Sequence, residues 1–192
     1  MFALRRSRSP VPGFDGHIEA ERVALRRLAS SDTSAIVHYV NDWDVAKQTA
    51  SLPWPYPTAT ARDWLLLDAE RWERDKEYVL AIEARDSGEL IGALAAYMTL
   101  RTLSGTGRAE IGYWLGKPFW GRGLSSEAVA AFLGFCARDL LLTRLHAYVF
   151  ADNVASGRVL EKCGFTIGRI LARSYPSRGG RRLVHRYARS LP

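Results

Sequence analysis

A mixed α/β domain is predicted by three features of the 192-residue chain. Stretches with strand-like alternation and stretches with helical spacing follow one another as strand, helices, three strands, helix, strand, helix, two strands. Turn signals separate consecutive strands at Asp86-Ser87-Gly88 and at Ser177-Arg178-Gly179-Gly180. Between them, Glu110 to Ala128 joins a short strand, a glycine turn and the start of an amphipathic helix.

In order, Met1 to Gly16 reads as a flexible basic tail, rich in Arg, Ser, Pro and Gly without an apolar period, ahead of a single domain over residues 17–192. Glu21 to Leu28 suggests the first strand. Ser30, Ser31 and Asp32 offer N-cap oxygens to a helix carrying Ile36, Val37 and Val40, which stops near Asn41. A second short turn of helix is expected over Asp44 to Gln48. The prolines of Ser51 to Pro57 exclude regular helix and predict an extended loop bearing Trp54 and Tyr56. Thr58 or Thr60 then caps a long helix through Trp72 toward Asp75. Tyr78 to Ala84, Glu89 to Leu100 and Ala109 to Leu115 are the three central strands. The last places Glu110, Gly112 and Trp114 on one face and Ile111, Tyr113 and Leu115 on the other.

After the glycine turn, Leu124, Ala128, Ala131, Phe132, Phe135 and Leu140 recur at helical spacing. Leu145 to Phe150 reads as a strand, and Val154 to Cys163 as a short helix closed by Gly164, whose missing Cβ suits a left-handed C-cap. Phe165 to Tyr175 and Arg181 to Arg189 complete the strands.

Composition excludes several classes. The longest apolar run, Ala128 to Ala137, is about half of the roughly 20 residues that a membrane-spanning helix needs. No apolar h-region follows Arg5, Arg6 and Arg8, so export is not expected. Cys136 and Cys163 stand alone with no Cys-x-x-Cys, indicating neither a disulfide framework nor a zinc site, and a cytoplasmic location fits. The net charge of +7 favours anionic partners. Much of it lies in the first arginines and in Arg178, Arg181 and Arg182, expected as solvated loop charges.

The glycine turn is an anion site by its chemistry. Gly121 and Gly123 flank Arg122 and can adopt left-handed angles, and the helix that follows presents unpaired amides at the positive end of its dipole. The turn lacks the Gly-Lys-Ser/Thr of a nucleotide P-loop and the third glycine of a dinucleotide fingerprint.

The stretch Ala109 to Leu115 followed by Phe119 to Ala128 resembles motif A of the GNAT superfamily of N-acetyltransferases, in wording closest to the ribosomal-protein N-terminal acetyltransferase (RimJ/RimL-like) branch. Asp152 to Phe165 is similar to the second signature of the family, Asn-x-x-Ser followed by Glu-Lys-x-Gly-Phe. The resemblance covers roughly Glu19 to Ala188. It implies a mostly antiparallel sheet with splayed central strands flanked by helices, and acetyl-CoA as cosubstrate with no metal. It places the coenzyme over Trp120, Gly121, Arg122, Gly123, Leu124 and Ser125, with its arm passing main-chain amides near Leu115 and Lys117 and the side chain of Asn153. Trp54 and Tyr56 become candidates for acceptor contact, and a homodimer is implied by analogy.

Acetyl transfer requires deprotonation of the amine, stabilisation of an oxyanion and departure of a thiolate. An N-terminal amine, with a pKa of about 8 against about 10.4 for lysine, needs less help from a base. Glu110 is the candidate base, acting directly or through water. The tyrosine that many superfamily members use to protonate the thiolate falls at Leu160, seven residues after Asn153, so Ser156 is the substitute that the resemblance offers. A covalent route through Cys163 is disfavoured, and His17, His38, His146 and His185 form no triad or metal spacing. The expected function is acetyl transfer from acetyl-CoA to a primary amine, a protein N-terminus or a small molecule, in a ternary complex. The alternative is a catalytically weak ribosome-binding, RNA-binding or CoA-sensing protein, with nucleic acid otherwise met only through the ribosome.

Overall fold

The computed structural model describes Val11 and residues 14–192. Eight strands form one sheet: β1 (His17–Glu19), β2 (Val23–Arg26), β3 (Glu77–Ala84), β4 (Glu89–Arg101), β5 (Gly107–Leu115), β6 (Leu142–Phe150), β7 (Thr166–Tyr175) and β8 (Gly180–Ser190). Their spatial order is β1-β2-β3-β4-β5-β6-β8-β7. Every neighbouring pair is antiparallel except β5 and β6, which run parallel because a helix crosses over between them. Among the described residues the helices are α1 (Thr33–Val40), α2 (Trp43–Ala46), α3 (Thr58–Glu73), α4 (Leu124–Arg138) and α5 (Val154–Lys162).

The period-2 alternation of the strands separates two cores. Leu80, Ile82, Ile111 and Leu145 face α4, which buries Ala128, Val129, Phe132 and Phe135. On the opposite face Ala81 and Leu90 receive Ile36 and Val40 of α1 and Ala61 of α3. Burying a Leu, Ile or Phe side chain contributes roughly 1.5–3 kcal/mol, so these two layers dominate the stability of the domain. Glu127 of α4 ties the helix start to β2. Its carboxylate accepts the Arg22 and Val23 amides at 2.5 and 3.2 Å and pairs with the Arg22 guanidinium.

Several expectations change. β1 is an additional strand, formed because Gly16 turns the chain at φ +92 and a tight turn follows in which Ala20 N donates to Val23 O. Three residues are too few to show a period. The expected strand over Glu21 to Leu28 shortens to Val23–Arg26. Of the expected tail, residues 1–10, 12 and 13 lie outside the described residues, while Val11 and Phe14 are buried. The Phe14 ring stacks on Trp72 and meets Phe135 at 4.6 Å. Asp32 does not cap α1. Its carboxylate turns back to accept the Ala29 amide and to take Arg26 in a bidentate pair. Pro57, not a threonine, stands at the N-cap of α3.

The largest correction concerns Arg178. It is buried, and its guanidinium donates to the carbonyls of Ala46, Thr49, Leu52 and Ser177 and to the Thr49 hydroxyl. Ser177 Oγ donates to Ala50 O at 3.2 Å. The β7–β8 turn is therefore fastened to the loop between α2 and α3. Burial, with the nearby charge of Arg182, lowers the Arg178 pKa, and carbonyl oxygens satisfy the guanidinium. Arg178→Ala is expected to cost on the order of 2 kcal/mol and to raise amide exchange selectively in residues 46–52. Exchange unchanged in that loop would show that Arg178 does not hold it.

Candidate functional site

The parallel pair β5–β6 is registered only from Gly107↔Leu142 to Glu110↔His146. Beyond it β5 continues along β4 to Leu115, and β6 along β8 to Phe150, so the two strands separate. The β6-facing edge of Ile111–Leu115 is left without a strand partner, and main-chain groups on such an edge are open to a ligand. A cavity of about 1190 Å³ occupies the fork and reaches both faces of the sheet.

On the α4 side the wall is formed by Trp120, Gly121, Gly123, Leu124, Ser125 and Ser126. Gly121 and Gly123 have φ of +73 and +79, and Gly123 is the N-cap of α4. A Cβ at Gly121 would meet nothing within 4 Å, so the turn keeps open space where a ligand can approach the main chain. Trp120 is fixed by its indole, which donates to Leu115 O at 2.7 Å. Asn153 lies on the wall and caps α5, its Oδ1 accepting the Ser156 amide at 3.1 Å. Ser156 also lines the cavity, with its hydroxyl 2.7 Å from that of Tyr113. Desolvation pushes the Tyr113 pKa up, so its phenol keeps its proton.

On the other face Glu110 sits where the fork opens, its carboxylate 3.5 Å from His146 Nε2. Beside it, Glu77, Tyr97, Glu110 and His146 are successive cross-strand partners in a row across the sheet. Desolvation raises the Glu77 pKa, while Arg71 at 3.5 Å opposes that rise. Arg173, Tyr175 and Tyr148 close the row from β6 and β7.

The structure brings Glu110, Leu115, Trp120, Gly121, Gly123, Leu124, Ser125, Asn153, Ser156 and the buried Tyr56 to this one cavity. Three expected residues are not on its wall. Trp54 packs on Trp43 at the surface and donates to Asn41 O, because the proline-rich loop turns its ring outward. The Lys117 side chain is drawn to Asp44 at 2.6 Å, and Arg122 is exposed, with its carbonyl accepting from Arg22. Sequence reasoning missed Tyr113 and His146, whose partners are distant in the chain. It also missed Arg158 and Lys162, which line the cavity one turn apart on α5 and whose spacing was a usable signal. Cys163 is a buried thiol donating to Ser126 O, and desolvation pushes its pKa up, which removes it as a nucleophile.

This fork with a glycine turn at one mouth coincides with what comparison of the whole chain finds. Residues 22–166 match the acetyltransferase (GNAT) domain as a family. The chain belongs to the GNAT acetyltransferase family. As a GNAT protein it is an N-acetyltransferase. It is 30% identical over 171 residues to the uncharacterized N-acetyltransferase p20 of Bacillus licheniformis, covering 89% of this chain and 93% of that protein. The ribosomal-protein-S5-alanine acetyltransferase of Vibrio fischeri superposes with a TM-score of 0.79 at 19% identity, covering 92% of this chain and 97% of that one. RimJ of Mycobacterium smegmatis, solved in complex with CoA-disulfide, superposes with a TM-score of 0.77 at 23% identity, covering 88% and 81%. Both superpositions show the GNAT fold. No helix among the described residues is long and apolar enough to cross a membrane.

Proposed function

We propose that this GNAT protein moves the acetyl group of acetyl-CoA to a primary amine, on a protein N-terminus or a small molecule, by direct transfer with both substrates in one cavity. The observation that carries this reading is the single cavity crossing the sheet at the fork, with the glycine turn on one side and the Glu110 carboxylate on the other. Coenzyme A fits the residues present: open space over Gly121, a helix N-terminus behind it, and Arg158 and Lys162 as cations for phosphate.

The coenzyme supplies the activated acetyl group. Glu110 takes the proton of the ammonium, and its approach to His146 holds the carboxylate at the fork. The unpartnered edge of β5 offers main-chain donors to the carbonyl oxygen as charge develops there, with each pre-oriented donor contributing about 3 kcal/mol. Ser156 donates to the departing sulfur. The Tyr113 hydroxyl, which retains its proton and donates to Ser156 O at 3.0 Å, lies 2.7 Å from Ser156 Oγ and holds that side chain at the cavity wall.

Thiol release from acetyl-CoA, followed across N-terminal peptides, polyamines and small amines with mass detection of the product, tests the proposal. Acetylated amine in step with free thiol is the expected result. Tight coenzyme binding without product on any amine would overturn it in favour of a CoA-sensing role.

A further inference from the structure

The half of the cavity facing α1 and α3 carries Asp63, Arg71, Glu77, Glu110 and Arg173 on its wall. These charges are not equivalent. Arg71 is engaged with Glu77 at 3.5 Å, whereas no carboxylate among the described residues pairs with Arg173. The Arg173 guanidinium instead lies over the Tyr148 ring at 4.0 Å, with Tyr175 at 6.0 Å. Stacking on a ring face holds a planar guanidinium with its N–H edge directed away from the ring, and the N–H groups not engaged by Tyr175 can grip a carboxylate or phosphonate.

Arg173 and Glu110 serve one space. Both line the cavity with Tyr175, and the Tyr175 hydroxyl, raised by burial, is pulled down by Arg173 and pushed up by Glu110. One ligand in this cavity can therefore meet both groups. Residues Gln48 to Pro53 also line the cavity, and Arg178 and Ser177 fasten that loop to the turn beyond the strand that carries Arg173. Four hydrogen bonds from the buried guanidinium to residues 46–52 hold this wall in place, so displacing it to admit a bulkier acceptor would break them.

We infer that the acceptor is a small zwitterion, an amine carrying a carboxylate or phosphonate a few bonds away, with its amine at Glu110 and its anionic group at Arg173. The inference rests on the acetyl-transfer reading and narrows its acceptor. In the reaction the ammonium loses one proton to Glu110, which passes it to solvent. The new N–C(O) bond then forms as the C–S bond breaks, and the second proton of the nitrogen replaces the one that Ser156 gives to the departing sulfur, so that amide, free thiol and one solvent proton are the products. The anionic group stays on Arg173 throughout. Neutralising the ammonium by acetylation removes the attraction to Glu110 and favours release.

The test is thiol release from acetyl-CoA with free α-amino acids and aminoalkylphosphonates, each compared with its methyl ester or amide and with peptides sharing the same first residue. The expected result is turnover of at least one zwitterion, with KM rising at least tenfold when its anion is masked. Arg173→Ala should produce the same rise for the free acid while leaving its ester, and the KM for acetyl-CoA, unchanged. The comparison of acid with ester on the unaltered protein needs no variant to fold. Equal turnover of acid and ester, or preference for peptides, would overturn the zwitterion while acetyl transfer stands. No thiol release with any amine would overturn both.

Discussion

Glu110→Gln is expected to lower kcat by about 10²-fold near neutral pH, within the 10²–10⁴ that a positioned general base supplies. Glutamine keeps the size and hydrogen-bonding reach of the side chain at the mouth of the fork but cannot accept a proton. The KM for acetyl-CoA should stay within about twofold, because Glu110 lies on the face of the sheet opposite α4 and its glycine turn. The deficit should shrink as pH rises toward the amine pKa, where the acceptor deprotonates without help. Steady-state kinetics between pH 6 and 10 measure this. A variant within threefold of the parent across that range would move the base elsewhere, and His146, 3.5 Å from Glu110, is the neighbour the geometry offers.

Gly123→Trp should weaken coenzyme A binding at least 100-fold, about 2.7 kcal/mol. Two effects combine. The residue is held at φ +79, where an L side chain costs roughly 1–2 kcal/mol, and the indole would fill the approach to the amides of α4. Gly123→Ala separates them: its Cβ would meet only the Arg22 guanidinium at 3.5 Å, so it should lower stability with a smaller loss of affinity. Calorimetric titration with coenzyme A, alongside Tm, distinguishes the outcomes. Unchanged affinity in the tryptophan variant would contradict the placement of the pyrophosphate.

Much of the fold was legible because its signals are local. Alternation in β3 to β5 and the apolar stripe of α4 are written in windows of a few residues, and Gly164 takes the left-handed angle its position demands, at φ +76. The glycine turn, Asn153 and Ser156 were legible for the same reason, lying within two short motifs that the cavity joins. What was not legible depends on distant partners. Arg178 is indistinguishable in sequence from Arg181 and Arg182, and only the carbonyls of Ala46, Thr49 and Leu52 decide which arginine is buried. Glu110 meets His146 only because α4 returns the chain to place β6 parallel to β5. Trp54 misled because an aromatic in a proline-rich loop carries no record of the direction its ring faces. Tyr113 was assigned to the correct face, yet nothing in its own strand announces Ser156 opposite it.

The most direct test of the central claim is a crystal structure of the protein with coenzyme A. The pyrophosphate is expected against the main chain of Gly121 to Ser126, the arm along the open edge of Ile111–Leu115, and the sulfur beside Ser156. Coenzyme bound outside the β5–β6 fork, or with its sulfur remote from both Ser156 and Glu110, would contradict that claim.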